Sequence, residues 1–473
     1  MPIPHIRRLK ISPEVHPDGL PGPRRIYAAL ALLITIMMAV LDGTIMNVAL
    51  PAIAHDQGAT PAHAIWVITA YQLAIVVALL PFSALGEAIG FRKVYLTGVA
   101  LFGIASALCA TSPSIELLTA ARVLQGLGAA AIMSINAAIM RHVFPHAKLG
   151  QAIGWIAMTV SVSAAAGPTI ASAIMAVASW HWLFLINLPM SALAIAIGYF
   201  SLPFNAPSRV RFDFISAFLN VLTFGGLVAA LGNMGIEGNP ILIGAQFAIS
   251  FIAGVFLVRR QLSRSRPMLP LDLLKIPVFA CSIGSSVTGF CAQMIAFVTL
   301  PFYFHDVLGH SATITGLLMT PWPVATAIIA PIAGRLADKF SPIRLTGIGM
   351  GVFAIGLYGT TLAADAGGLV PIVAALALCG AGFGLFQAPN NRLMLTSAPR
   401  ERSGGASGLL STARLTGQSV GAAFAAILIG TGAGFDLATI MMVASGSAVV
   451  SAIICEGRRH ALRTGLIASP AGV

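Results

Sequence analysis

Runs of about 20 apolar residues recur from one end of this chain to the other, each long enough to cross a hydrocarbon layer about 30 Å thick. Within such a layer no water reaches the backbone, so each run must satisfy its own N–H and C=O groups as a helix. Reading the runs against their polar and Pro/Gly boundaries gives fourteen spans, the first over about residues 27–50 and the last over about 436–455. Charged residues make up 9% of the 473 and hydrophobic residues 57%, too little polar surface for a water-soluble fold of this size. A net charge of +12 would suit nucleic acid if the cations shared one face. They are dispersed through short loops instead, so a lipid bilayer is the expected partner and nucleic acid is not.

The loop charges test the span count. With the N-terminus inside, all of the 27 Lys and Arg except Arg122 and Arg414 fall in inside segments or at inside span ends. Asp56, Glu116, Glu237, Asp306, Asp365 and Asp436 fall outside. One helix more or fewer scrambles this sorting, so an even number of spans is expected, with both termini cytoplasmic in the cell inner membrane. Residues 1–26, basic and rich in proline, read as a disordered cytoplasmic tail rather than a cleaved leader.

Chemistry is bounded mostly by what the spans lack. The five cysteines form no CxxC pair, so neither disulfides nor a metal site are expected. His142 and His146 have ligand spacing, but Pro145 stands between them and no third ligand is evident. No lysine follows a glycine, which excludes a P-loop. No pair of acids within the spans suits metal-dependent catalysis, and nothing resembles a selectivity filter. An enzyme, a cofactor and a channel are therefore not expected; a transporter driven by an ion gradient is.

Two segments point to an internal repeat. Ser83-Ala-Leu-Gly-Glu87-Ala-Ile-Gly90-Phe-Arg92-Lys93 follows the second span, and Gly334-Arg335-Leu-Ala-Asp338-Lys339 follows the tenth. Each sets a small residue, a leucine and an acid before basic residues at an inside helix end. The chain thus reads as six plus two plus six: a bundle over 27–202, a two-helix insert with linkers over 203–277, a second bundle over 278–455 and a tail over 456–473.

Further motifs carry a resemblance. Leu41-Asp42-Gly-Thr-Ile-Met-Asn47-Val-Ala-Leu-Pro51 lies in the first span and Arg122-Val-Leu-Gln125-Gly126-Leu-Gly128 in the fourth. Ser163-Ala-Ala-Ala-Gly167-Pro168 lies in the fifth, and Trp180-His-Trp182-Leu-Phe-Leu-Ile-Asn187-Leu-Pro189 opens the sixth. In this order the chain resembles the major facilitator superfamily, in its 14-helix drug:proton antiporter branch, over about residues 27–455. The resemblance implies an all-α polytopic membrane protein of two six-helix bundles plus two extra central helices. It implies a monomer that exports small amphipathic compounds in exchange for protons. A transporter for one physiological metabolite, such as a siderophore, sugar or aromatic acid, is the alternative. It also implies that Glu87 and Asp338 are latch acids, with Arg92 and Gly334 in the same loop motifs. Here Glu87 replaces the usual Asp, and Ser163, Ala171 and Ser172 replace usual glycines. Gly167 and Pro168 read as a break in the helix ladder and a smooth seam about which the halves rock.

Asp42 is the only acid deep within a span, and Arg122 lies at a matching depth. A buried charge favours such a partner, so the pair reads as a proton-coupling site, with a permanent structural ion pair as the alternative. Arg414 has Gln418 one turn on, and either lines a cavity or braces the second half. Tyr71, Gln125, Asn136, Trp322, Gln387 and Asn390 are the remaining cavity candidates, each equally suited to interhelical hydrogen bonding, as are Gln72 and Asn391. Trp66, Trp180 and Trp182 read as interface anchors. With two cations against one acid within the spans, neutral and anionic substrates stay open.

Overall fold

Among the described residues, fourteen helices are long and apolar enough to cross a membrane. The computed structural model describes residues 19–145, 148–204, 212–234, 239–264, 269–365, 368–399, 403–430 and 436–463; His146 and Glu237 lie outside them. No strand occurs among the described residues. The spans are α1 Gly22–Asp56, α2 Pro61–Ile89, α3 Phe91–Ala110, α4 Ile115–Val143, α5 Leu149–Met175, α6 His181–Ser201 and α7 Phe214–Met234. They continue with α8 Pro240–Leu262, α9 Pro277–Val307, α10 Ala312–Lys339, α11 Pro342–Asp365, α12 Leu369–Ser397, α13 Ser403–Gly430 and α14 Leu437–Arg463. With an even number of crossings both ends lie on one face, called here the near face. The opposite one is the far face.

Several ends differ from the hydropathy reading. α1 starts at Gly22 rather than 27, because a proline in the first turn removes only an N–H that would be unpaired anyway. Arg24 there donates to the Ser201 carbonyl at 3.1 Å. At its other end α1 runs through Pro51 to Asp56, which accepts a 2.9 Å hydrogen bond from Trp180 Nε1. α14 continues beyond 455 to Arg463, and Arg458 on it is buried, donating to Ser282 Oγ at 2.6 Å and Thr346 Oγ1 at 3.0 Å. Hydropathy stops at the first charges, whereas the helices carry those charges onto partners.

Helix pairing reproduces the repeat. In the first half α2 packs on α4, α3 on α4 and α6, and α1 on α5 and α6. In the second, α10 packs on α12, α11 on α12 and α14, and α9 on α13 and α14. The correspondence reaches single residues. A Cβ on Gly126 would stand 2.7 Å from the Ala74 Cβ, and one on Gly380 2.9 Å from the Ala325 Cβ. Gly128 meets the backbone of Phe102 and Gly98, and Gly382 that of Phe353 and Gly349. Small residues let helices approach to backbone contact where no hydrophobic force separates protein from lipid.

The inserted helices are tied to the first half and touch the second. Asn220 on α7 donates to the Val77 carbonyl at 2.8 Å, Gly232 lies against the Trp66 ring, and α7 also packs on α13. Asp213 before α7 holds Arg260 of α8 at 2.9 Å and Arg264 at 3.7 Å. Burial alone would push the Asp213 carboxyl up, but hydrogen bonds from Arg260 and Ser216 hold it down at about 2.

At the far face the two halves share one apolar core. Ile45, Leu50 and Ile68 of the first half join Phe297, Phe302 and Leu318 of the second. Thr169 on α5 and Thr320 on α10 lie 3.1 Å apart, oxygen to oxygen. A Cβ on Gly167 would overlap Thr44 of α1, and one on Gly316 would overlap Ser172 of α5. Gly167 thus makes a real close approach at the expected seam, and Pro168, with no N–H to donate, leaves one ladder hydrogen bond unmade. α5 stays helical through Pro168, because close packing on α1 and α10 holds it in line.

Candidate substrate and proton site

One turn of α1 separates two environments. Ala39, Val40, Gly43, Thr44 and Asn47 form the face that lines a central cavity of about 180 Å³. Asp42 points away from it and is 2% exposed. Its carboxylate is held on every side: one oxygen pairs with Arg122 of α4, and the other accepts from Gln125 Nε2 at 2.8 Å and Asn187 Nδ2 at 3.0 Å. Arg122, fully buried, also donates to the Val67 carbonyl at 3.0 Å and to Gln125 Oε1 at 2.5 Å. Its guanidinium lies 4.0 Å from the centre of the Tyr71 ring. Such a network compensates for removing both charges from water only because nearly every polar atom is used.

Tyr71 is the partition. Its ring faces the guanidinium, it lines the cavity, and its hydroxyl donates to the Ala39 carbonyl at 2.9 Å. Across the cavity the second half contributes Phe290, Gln293, Trp322, Gln387, Arg414 and Gln418. Among the described residues, four buried polar atoms on this lining have no hydrogen-bond partner: Asn47 Oδ1, Gln72 Oε1, Trp322 Nε1 and Arg414 Nε.

The candidates separate accordingly. Asp42 and Arg122 meet directly, although α1 ends six residues later than hydropathy suggested. Tyr71, Trp322, Gln387, Arg414 and Gln418 line the cavity. Gln125, Asn136 and Asn390 do not. Gln125 belongs to the ion-pair network, Asn136 donates to the Leu32 carbonyl at 3.0 Å, and Asn390 donates to the Ser282 carbonyl at 3.1 Å. The last two are matched across the repeat, each tying the fourth helix of its half to the first. A polar residue within a span seeks any internal acceptor, and a carbonyl of the packed neighbour was nearer than the cavity.

Loop and interface residues also divide. Asp338 pairs with Arg392 of α12, both largely exposed, a contact worth about 0–1 kcal/mol. Glu87 is exposed and has no ion-pair partner among the described residues. Arg92, expected beside it, turns inward to the Tyr199 carbonyl and stacks 3.9 Å from the Phe204 ring centre, because the aromatic pocket shields its stem and charge together. Gly334 faces open space, and Gly90 takes φ 104°, the left-handed turn that joins α2 to α3. Trp182 is 56% exposed, as an interface anchor would be, whereas Trp180 is buried against Asp56. Sequence reasoning missed Asn187 and Gln293 as site residues; both are polar side chains within apolar spans, the signal used for their neighbours.

Comparison with known proteins agrees with this architecture. The chain is 49% identical over 444 residues to the "Uncharacterized transporter YebQ" of Escherichia coli (strain K12), covering 93% of this chain and 97% of that one. It is 32% identical to the "Multidrug resistance protein Stp" of Mycobacterium tuberculosis (strain CDC 1551 / Oshkosh), covering 82% and 72%. It is 29% identical to the "Riboflavin transporter RibZ" of Clostridioides difficile (strain 630), covering 83% and 85%. A D-xylose–proton symporter structure shares the fold at TM-score 0.65 and 14% identity, over 91% of this chain and 97% of that one. Residues 32–422 match the Major Facilitator Superfamily, and with fourteen spans paired as a repeat around a central cavity, the chain belongs to that superfamily of membrane transporters.

Proposed function

We propose that the chain is a proton-coupled exporter of small amphipathic compounds in the cell inner membrane, with both termini cytoplasmic. The observation that carries this is the α1 turn that lines the cavity on one face and holds the only mid-span carboxylate on the other. Relatives named for multidrug resistance and efflux support the export reading. Closed at the far face, the molecule is in the form that receives substrate from the cytoplasm. Asp42 is then charged and satisfied by Arg122, Gln125 and Asn187.

Proton uptake removes the charge that Arg122 answers, leaving a buried cation short of its partner. That penalty is relieved only if the α1 turn shifts against α4, and the same turn carries Gly43, Thr44 and Asn47 into or out of the cavity. Asp42, Arg122, Gln125 and Asn187 all belong to the first half, so coupling runs through the bending of α1 rather than through separation of the halves. A ligand and a proton then drive the switch through their unequal affinity for its two forms.

The test is efflux from proteoliposomes under an imposed proton gradient, using a compound to which expression confers resistance in an efflux-deficient host. Asp42→Asn should abolish uphill transport yet retain substrate binding, and a protonophore should collapse transport by the unaltered protein. Full uphill efflux by Asp42→Asn, or indifference to the protonophore, overturns proton coupling through this residue.

A further inference from the structure

The repeat gives a way to ask which cavity residues the fold needs and which a ligand needs. Gly167 on α5 packs against Thr44 of α1, and Gly421 on α13 against Met294 of α9, so these two positions correspond. Two turns earlier on each helix, Val160 corresponds to Arg414, and one turn earlier Ala164 corresponds to Gln418. All four line the cavity. The same helix therefore packs in the same way with apolar residues at these places, and the scaffold does not call for a guanidinium.

Its surroundings do not call for one either. No carboxylate is among the cavity-lining residues. Asp42, the one acid at this depth, has both oxygens occupied by Arg122, Gln125 and Asn187. Among the described residues Arg414 has no ion-pair partner and its buried Nε has no acceptor. The buried Trp322 Nε1 on the same lining is a second donor without an acceptor. An uncompensated cation in a low-dielectric cavity is costly, and it persists where something supplies the opposite charge. Around these donors stand Phe290, Phe297 and Phe383, an apolar aromatic wall.

We propose that the central cavity takes aromatic organic anions, with Arg414 receiving the anionic group and Trp322 offering a further N–H to it. This rests on the cavity being the substrate site. It also divides labour between the halves: the first holds the proton site behind Tyr71, and the second reads the charge of the cargo. A lipophilic cation would meet Arg414 with no acid to answer it.

The experiment is calorimetric titration of the purified full-length protein in lipid nanodiscs with naphthalene-2-carboxylate, its neutral carboxamide, and chloride. The carboxylate should bind about tenfold or more tightly than the carboxamide. Arg414→Gln should erase that preference, and Arg414→Lys should keep part of it. Without ligand, Arg414→Gln should melt no lower than the unaltered protein, since it removes a charge that nothing pairs with; a clear fall would mark Arg414 as a brace and overturn the proposal. Equal binding of the two naphthyl compounds overturns the anion preference while leaving the cavity as a binding site. Binding of neither overturns both readings. Chloride binding with no gain from the naphthyl ring shows a site for inorganic ions and overturns the organic-anion assignment.

Discussion

Asp42 and Arg122 have counterparts in the second half that carry no charge. By the correspondence of Leu32 with Ser282, and of Gly126 with Gly380, they fall opposite Ala292 and Leu376, both fully buried. A half of this design therefore folds without an ion pair, and the pair's stability is a difference between large opposing terms. Removing one partner should cost about 3–5 kcal/mol, because the other charge stays buried and unanswered. We expect Arg122→Leu alone to melt well below the unaltered protein, and Asp42→Ala with Arg122→Leu to recover most of the loss. The double variant should still fail at proton-driven efflux. Thermal unfolding in detergent checks the first statement and proteoliposome transport the second; a double variant no more stable than the singles would show that the pair is required by the fold. The pair was legible in the sequence because mid-span charges are too costly to leave unmatched. Asn136 and Asn390 stayed open in the sequence for the same reason: a lone amide within a span announces that a partner exists, and not whether that partner is a ligand or a carbonyl.

Single helices show where the sequence speaks less directly. The one glycine of the α5 motif announced a close contact, but only the folded molecule identifies Thr44 as what Gly167 touches. Gly167→Ala should therefore insert normally and transport poorly, since its Cβ meets Thr44 Oγ1 at the seam between α5 and α1. Thr44→Ala placed beside it should restore part of the activity, since it removes the Oγ1 overlap but leaves a Cβ at 167 2.7 Å from the Cβ at 44, a contact that must relax. Transport at full rate by Gly167→Ala would show that the seam tolerates separation. The insert offers a test of a different kind. Asp213 has its carboxyl held down at about 2, so its tie to Arg260 and Arg264 contributes fully above the ordinary carboxylate range near 4. The contribution fades as pH falls from there through about 2. Asp213→Asn should accordingly lower the melting temperature at pH 7, and the gap to the unaltered protein should narrow on acidification; a gap independent of pH would show that the effect does not come from the ionised carboxylate and its contacts to Arg260 and Ser216.

At the scale of the whole molecule, the charge pattern carried most of the information. The six-plus-two-plus-six arrangement was readable because membrane insertion sorts cations by side, so every crossing leaves a mark in the loops. Helix ends were less readable, since Arg24, Asp56 and Arg458 sit on helical turns that continue past the apolar runs. The same sorting makes the topology testable at its most informative point, the inserted pair. A protein of twelve spans would place both ends of that pair on one side without crossing. Here α7 and α8 each cross, and the α7–α8 connection should face away from the cytoplasm while the cations after α8 face into it. A periplasm-active reporter fused after Asn239 should therefore be active, and the same reporter fused after Arg264 silent, with a cytoplasm-active reporter giving the opposite pair. Activity on the same side at both points would remove the inserted crossing. Exchange of the two results would leave the helices in place and turn the molecule over, which would also reverse the direction of transport assigned to it.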